Sequence, residues 1–364
     1  MTDRNSAPDW ARQPSVAVMI LNFNGLRWLR RCLPSIVKSS YQNLNVYVVD
    51  NGSTDGSLEF VKSSYPDIKL VPFSENLGFA EAYNRAIKRV RADYVLLLNN
   101  DTAVLDRDWI EVLVHRAEEN PSVGAVACKL VSMEDHRRLD SAGVMGIKYW
   151  RGFVEIGKYE MDRGQYDHPP IAPFSASGAA MLIRRIAFEQ MGGLDCKFFA
   201  YVEDVDLCWR LRLAGYDIAY QPSARVAHYF SATTGHSGLA AGKLYLTHRN
   251  VLRCIIKNCG SSLRWALRNY FLFSLMIAAG FCVFEPRKAN ATIRAVLWNL
   301  LNLRDSYAWR LKVQTSRRKG EEEILDRMYP SLGRYRPAEH SELRHLLDIL
   351  FEYSQLSKMH NRTW

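Results

Sequence analysis

Two aspartates stand at the end of a short apolar run: Asp50 directly after it in V-V-D-N-G-S-T-D-G, and Asp101 two asparagines after it in L-L-L-N-N-D-T. A carboxylate in that position can accept a hydrogen bond from a base or ribose. It can also hold a hard cation such as Mg²⁺ or Mn²⁺, with phosphate oxygens completing the shell. Singly, each reads equally well as a turn or cap residue. A second group, F-F-A-Y-V-E-D-V-D at 198–206, places Glu203, Asp204 and Asp206 behind three aromatics. Acids at a helix start complement its dipole by roughly 0.3–1 kcal/mol each, which leaves the aromatics unexplained. A ring can pack on the apolar face of a sugar while an acid takes a hydroxyl proton as general base. The third element is His228 after Arg225-Val226-Ala227. A lone histidine is more often structural, yet a neutral imidazole can complete a metal site.

These residues need elements to position them. Val16–Leu21, Val46–Val49, Ile68–Val71 and Tyr94–Leu98 are short apolar runs, and helical patterns follow at Leu26–Lys38 and Phe79–Val90. Ser53 or Thr54 is expected to cap an intervening helix. Continuous apolar strands alternating with helices predict a mostly parallel α/β sheet covered on both faces. Ligands bind such sheets at the carboxyl ends of the strands, which puts Asn22, Asp50 and Asp101 on one rim. Further on, Lys148–Pro173 reads as a long loop or hairpin, Ser175–Ile183 as a turn and strand, and Val205–Leu213 as a helix closed by Gly215. Ile218–Tyr220 and Arg225–His228 read as two short strands around Pro222. From Lys243 the pattern is mostly helical.

Composition narrows the function classes. The polar N-terminus lacks an apolar signal core, and the seven cysteines form no C-x-x-C pair. Reduced thiols and a cytoplasmic location are expected. The net charge of +10 is concentrated late: 285–319 carries nine basic residues against Glu285 and Asp305. The uncharged stretch Tyr270–Phe284 precedes it. Its fifteen residues fall short of the roughly 20 needed to span a bilayer, so this region is expected to lie on an anionic membrane surface. The competing reading is a core helix beside a solvated basic one. The basic cluster lies outside the α/β part and no nucleic-acid motif accompanies it. Two further classes compete for the whole chain: a nucleotidyltransferase making sugar nucleotides, and a non-enzymatic membrane- or nucleic-acid-binding protein. A nucleotidyltransferase would bring a glycine-rich basic loop near the first strand, whereas Asn22–Leu26 has one glycine and no lysine.

Taken in order, V-V-D-N-G-S-T-D-G, N-L-G-F-A, N-N-D-T, S-G-A-A-M-L-I-R-R, E-D-V-D-L-C-W-R-L, a histidine and Arg249-Asn250 resemble glycosyltransferase family 2, in its rhamnosyltransferase-like branch. The resemblance covers about Val16 to Lys257. It implies a GT-A fold over 15–257, between an N-terminal tail (1–14) and a mostly helical C-terminal extension (258–364). It also implies an inverting, Mg²⁺- or Mn²⁺-dependent transfer from a nucleoside diphosphate sugar to a glycan or lipid-linked acceptor, at the inner face of the membrane. Asn22, Phe23, Asp50, Asn76, Asn99, Asn100 and Asp101 then belong to the donor side. Asp50 would contact the base and Asp101 the metal, since asparagine stands first in the family's D-x-D position. Asp204 matches the catalytic base, with Gly178, Tyr201, Glu203 and Asp206 on the acceptor side. His228 is a second metal ligand, with His236 and His248 as rivals for that role. No Q-x-x-R-W motif is present, which favours single addition over polymerisation.

Overall fold

The computed structural model describes residues 13–149, 151–229 and 241–329. The first half is an alternation of β1 (Val16–Asn22), α1 (Leu26–Ile36), β2 (Leu44–Asn51), α2 (Ser57–Ser64), β3 (Lys69–Phe73), α3 (Gly78–Ile87) and β4 (Tyr94–Asn99). There follow β5 (Thr102–Val104), α4 (Trp109–Glu118), β6 (Val123–Ser132), β7 (Leu139–Ser141) and a hairpin of β8 (Val144–Gly146) and β9 (Phe153–Glu155). Next come β10 (Ala180–Arg184), α5 (Arg185–Gln190), α6 (Glu203–Leu213) and β11 (Asp217–His228). The helices α7 (Ala241–Asn258), α8 (Leu263–Phe284), α9 (Pro286–Leu301), α10 (Leu303–Thr315) and α11 (Glu321–Leu325) complete the described chain.

The sheet order is β3-β2-β1-β4-β10-β6-β11-β5, with β7 also paired to β6. The first four strands are parallel, β10 runs antiparallel between β4 and β6, and β11 runs parallel to β6. Alternation along each strand feeds two cores. Val16, Val18 and Ile20 pack with α1 and α4, while Ala17 and Met19 pack with α3 and α6. Helices therefore cover both faces, and the strands in between are apolar throughout.

Three local expectations change. The helix after β2 begins at Ser57 with Gly56 at its N-cap, and the cap work falls to Asp55: its carboxylate accepts from the amide of Ser57 at 3.1 Å and that of Leu26 at 2.8 Å. The two strands around Pro222 are one strand, β11, with a register irregularity between Gln221 and Arg225 that accommodates the proline. The uncharged stretch from Tyr270 is the later part of a 22-residue helix that starts at Leu263. Among the described residues, α8 is the one helix long and apolar enough to cross a membrane by length and composition.

The helices beyond Lys257 share a core with the α/β part. Val205, Trp209 and Leu213 of α6 pack with Ile255, Tyr270, Val313 and Ile324. A buried ionic cluster fastens the same junction. Lys257 of α7 reaches Asp195 at 2.6 Å and Asp206 at 2.9 Å, and Arg253 reaches Asp195 at 2.8 Å and Asp305 at 2.5 Å. Burial opposes ionisation of Asp195 and Asp206, but the cations around them hold both carboxyls below the usual range.

Candidate active site at the strand ends

The strand ends carry a closed polar lattice. Asn22 donates to Asp50 at 3.0 Å and to the Ser53 hydroxyl at 3.1 Å, and it accepts from Asn100 at 2.7 Å. The second Asp50 oxygen accepts from the Ser53 amide at 3.0 Å. Asn22, Asp50 and Asn100 are buried. The lattice also dictates Gly25: a Cβ there would stand 2.0 Å from Asn100 Nδ2 and 2.5 Å from Asn22 Oδ1. Asn76 is exposed and accepts from the amide of Gly78 and the side chain of Asn51, both at 2.9 Å. Phe23 is exposed at the rim, and Asn99 is half-buried. The structure thus brings the predicted donor-side residues to one edge. Asp50 spends its oxygens on Asn22 and Ser53 rather than turning them outward.

Beside this lattice the satisfaction breaks down. Strand β5 pairs antiparallel with β11, placing Thr102 opposite His228. Asp101 therefore meets the histidine, with His228 Nε2 3.5 Å from Asp101 Oδ1. Asp101 Oδ1 is buried and has no hydrogen-bond partner. The other ring nitrogen of His228, Nδ1, lies 2.7 Å from Asp140, whose second oxygen accepts from Lys158 at 2.8 Å. Burial opposes charge here, but Asp101 and Asp140 hold His228 up at about 10, while His228 and Lys158 hold Asp140 down at about 2. A divalent cation that displaced the Nε2 proton would find the Asp101 oxygen and that ring nitrogen together, with Asp140 backing the other ring nitrogen. Among the described residues no group of three or more His, Cys, Asp or Glu side chains converges so as to hold a metal ion by itself. Two protein ligands are what a cation bound chiefly through phosphates needs. Of the three candidate histidines, His236 lies outside the described residues. His248 sits between Tyr270 and Phe273, where burial lowers it to about 4.

The three acids at the start of α6 have three different fates. Asp204 Oδ2 accepts from the Gly178 amide at 2.6 Å, and Oδ1 from Val205 at 2.7 Å. Desolvation outweighs these amides and raises its carboxyl. Gly178 eases this approach, since a Cβ there would crowd Asp204 Oδ2 at 3.2 Å and the Phe79 ring at 3.3 Å. Glu203 is buried with an unpartnered Oε2, and burial followed by the neighbouring Asp204 charge pushes it well above the carboxylate range. Asp206 is 0% exposed and bound to Arg210, Lys257 and Asn258 at 2.9, 2.9 and 3.0 Å. The structure removes Asp206 from the acceptor side: it faces the α6–α7 junction, where three donors consume it.

The loop ahead of α6 is held from α7. Phe199, Tyr201 and Val202 have φ of 64°, 69° and 70°, values that cost non-glycine residues of order 1–3 kcal/mol each. Asn250 Nδ2 donates to the carbonyls of Phe198, Ala200 and Tyr201 at 3.1, 2.9 and 2.7 Å. Arg249 donates to Lys197 and Phe198 at 3.0 and 2.6 Å, and the Phe79 amide donates to Phe199 at 2.6 Å. The strained turn that presents Tyr201 and Asp204 is thus over-determined.

A strand-end carboxylate and histidine, with a desolvated aspartate opening a helix, repeat the order of the sequence motifs. A family model described as Glycosyltransferase like family 2 matches residues 14–242. The chain belongs to glycosyltransferase family 2. This glycosyltransferase is 31% identical over 271 residues to the N-acetylglucosaminyl-diphospho-decaprenol L-rhamnosyltransferase of Mycobacterium tuberculosis, covering 66% of this chain and 85% of that one. It is 28% identical to the pre-mycofactocin glycosyltransferase of the same organism, over 71% of this chain and 54% of that one. Among solved structures, a Pyrobaculum calidifontis mannosyltransferase in complex with GDP-Man and Mn²⁺ is 20% identical at a TM-score of 0.51, covering 86% of this chain and 87% of that one. GalNAc-T7 with UDP, GalNAc and Mn²⁺ is 12% identical at 0.60, covering 86% and 56%. The fold of this glycosyltransferase is GT-A.

Three contributors to the site are not visible in the sequence. Asp140 and Lys158 carry no local motif: Asp140 is placed by the pairing of β7 with β6, and Lys158 by the segment after β9, where the Tyr159 amide donates to the Leu139 carbonyl at 2.9 Å. Asn250 belongs to the motif set of the resemblance, but its function as a fastener follows from three carbonyls about 50 residues earlier.

Proposed function

We propose that this glycosyltransferase moves one sugar from a nucleoside diphosphate donor to an acceptor hydroxyl, with inversion and with Asp204 as general base. The observation that carries the reading is the buried Asp101 oxygen, which has no hydrogen bond and lies 3.5 Å from His228. Asp101 and His228 would hold Mg²⁺ or Mn²⁺, which when bound neutralises charge on the leaving diphosphate. The rest of the chemistry belongs to the chain. Asp204, held by the Gly178 and Val205 amides, takes the acceptor proton as that oxygen attacks the anomeric carbon from the opposite face. The bond to the diphosphate breaks in the same displacement. Glu203, kept neutral by burial, leaves Asp204 as the charged member of the pair. The rim from Phe23 to Asn76 receives the nucleotide, and Asp50 fixes the loop beneath the base.

The acceptor in this reading is a glycan on a lipid carrier, at the cytoplasmic face of the cell-envelope membrane. The rhamnosyltransferase relative supports it, because its name specifies a diphospho-decaprenol acceptor. Calorimetric titration of Asp101→Ala with candidate nucleotide sugars, with and without Mn²⁺, tests the donor side. The wild type is expected to bind donor more tightly with Mn²⁺, and the variant to bind equally with or without it. A variant that keeps the full metal dependence removes Asp101 from the site.

A further inference from the structure

The outer face of α8 inverts the usual pattern. A helix on a folded domain turns its apolar side inward and its polar side to water. From Tyr270 to Phe284 the exposed positions of α8 carry no charged and no hydrogen-bonding side chain other than the Cys282 thiol. Phe271, Leu272, Leu275, Met276, Val283 and Phe284 project outward, and Leu275, Val283 and Phe284 are 66%, 79% and 84% exposed. Within this stretch the polar side chains, those of Tyr270 and Ser274, are buried, while the two charged residues of the helix, Arg264 and Arg268, are exposed nearer its start.

The surrounding charge selects a partner. Residues 263–315 contain eight basic residues and two acids. Both acids are committed: Glu285 to Lys288 at 2.5 Å and Asp305 to Arg253 at 2.5 Å. Not every cation faces outward, since Lys288 is buried and Arg310 caps the α7 carbonyls of Ile256 and Cys259. Arg264 and Arg268 of α8, Arg287 and Arg294 of α9, and Arg304 and Lys312 of α10 remain exposed. A second copy meeting this face symmetrically would bring like charges together. An anionic bilayer would meet apolar with apolar and cation with anion.

We infer that α8 lies in the plane of an anionic bilayer surface, with its outer face over 271–284 in the acyl boundary and the exposed arginines of α9 and α10 among the headgroups. The inference deepens the lipid-linked acceptor reading and rests on it. At 1.5 Å per residue, α8 is about 33 Å long, enough to cross the hydrocarbon. Yet its inner side is packed along α9, which carries Arg287, Lys288 and Arg294 and would be drawn in with it. Charged residues at mid-bilayer are costly, so α8 lies flat.

The test uses the full chain with Cys196→Ser, which leaves Cys282 as the one exposed cysteine. An environment-sensitive fluorophore on Cys282 reports on the α8 face, since 275, 279 and 282 share it at helical spacing. Vesicles of phosphatidylcholine with and without phosphatidylglycerol are compared by flotation at low and high salt. The protein is expected to float with the anionic vesicles, with a blue-shifted label, and an alkaline carbonate wash is expected to release it. Leu275→Gln with Phe284→Gln is expected to weaken binding at least about tenfold, as loss of two buried apolar side chains requires, with thermal stability and donor affinity unchanged. Binding with an unshifted label, binding that survives carbonate, or a vesicle-indifferent dimer dissolved by the double substitution would each overturn the inference. Donor titration runs in parallel, so loss of vesicle binding with metal-dependent donor binding intact refutes the membrane face alone.

Discussion

Two stretches of the same sheet edge treat their polar groups in opposite ways. At the β1–β2–β4 ends, Asn22, Asp50, Asn100 and Ser53 satisfy one another in a closed lattice. At the β5–β11 end and the start of α6, Asp101 and Glu203 each keep a buried oxygen without a hydrogen-bond partner, and Asp204 is desolvated. Unsatisfied buried polar groups cost roughly 1–3 kcal/mol each, and these two are carboxylate oxygens at the sheet edge, where a ligand or a reaction would offset the cost. The closed lattice shapes the rim, and the open corner is placed to do chemistry. The ionic cluster under α7 extends the contrast: it is as rich in charge as the active corner, yet its carboxylates are paired.

The contrast breaks first at Asp204. Asp204→Asn is expected to lower turnover 10²–10⁴-fold with donor affinity near wild type, measured by steady-state kinetics beside calorimetry. Because its carboxyl is raised, the base is lost by protonation as pH falls through a value above the ordinary aspartate range of about 3.9. The wild type should therefore show an acid limb in kcat that the variant lacks. Turnover within a few-fold of wild type would return the base role to another residue.

Lys257 tests the paired side. Lys257→Met leaves Asp195 and Asp206 with only part of their counter-charge, in a site where Lys257 is 0% exposed. A loss of about 3 kcal/mol is expected, the low end for breaking a buried pair because Arg253 and Arg210 remain. Denaturant unfolding measures it. A loss mainly in turnover, with stability intact, would mean that the cluster belongs to the active corner.

The smallest effect sharpens the boundary. Asp140→Asn should keep the His228 ring in place but weaken its orientation and basicity, costing 10–100-fold in Mn²⁺-supported donor affinity. Binding measured without metal should not change. An equal loss in both conditions would make Asp140 a structural residue.

The sequence displays the closed lattice better than the open corner, for physical reasons. Strands β1 and β4 are apolar up to their last residue and β2 from Val46 to Val49, and the polar residues that end them can be seen directly. Strand β6 is apolar apart from Lys129 and its terminal Ser132, and no polar cluster of chemical interest ends it, so nothing at 123–132 marks it as part of the site. Asp140 acts on His228 across 88 positions, a relation set by sheet pairing alone. Asp206 is hard to place for a similar reason. In E-D-V-D, Glu203 and Asp206 lie three apart on one helical face and Asp204 about a quarter-turn away. Which face meets cations depends on Lys257, 51 residues later. For α8, the charge of Arg268 cuts the uncharged window short of the helix that contains it.

The turn at 199–202 has a consequence for how the enzyme is divided. The family match ends at 242, but the amide that ties down three carbonyls of that turn comes from Asn250. A chain cut at the family boundary would keep every residue of the donor rim and lose the brace under the base. Helix α7 is that brace, and it is also the helix against which α8 and α9 pack. A surface that engages α8 therefore presses on the same rod that fixes Asp204. On the proposed readings of α8 and Asp204, anchoring and catalysis would share one mechanical part.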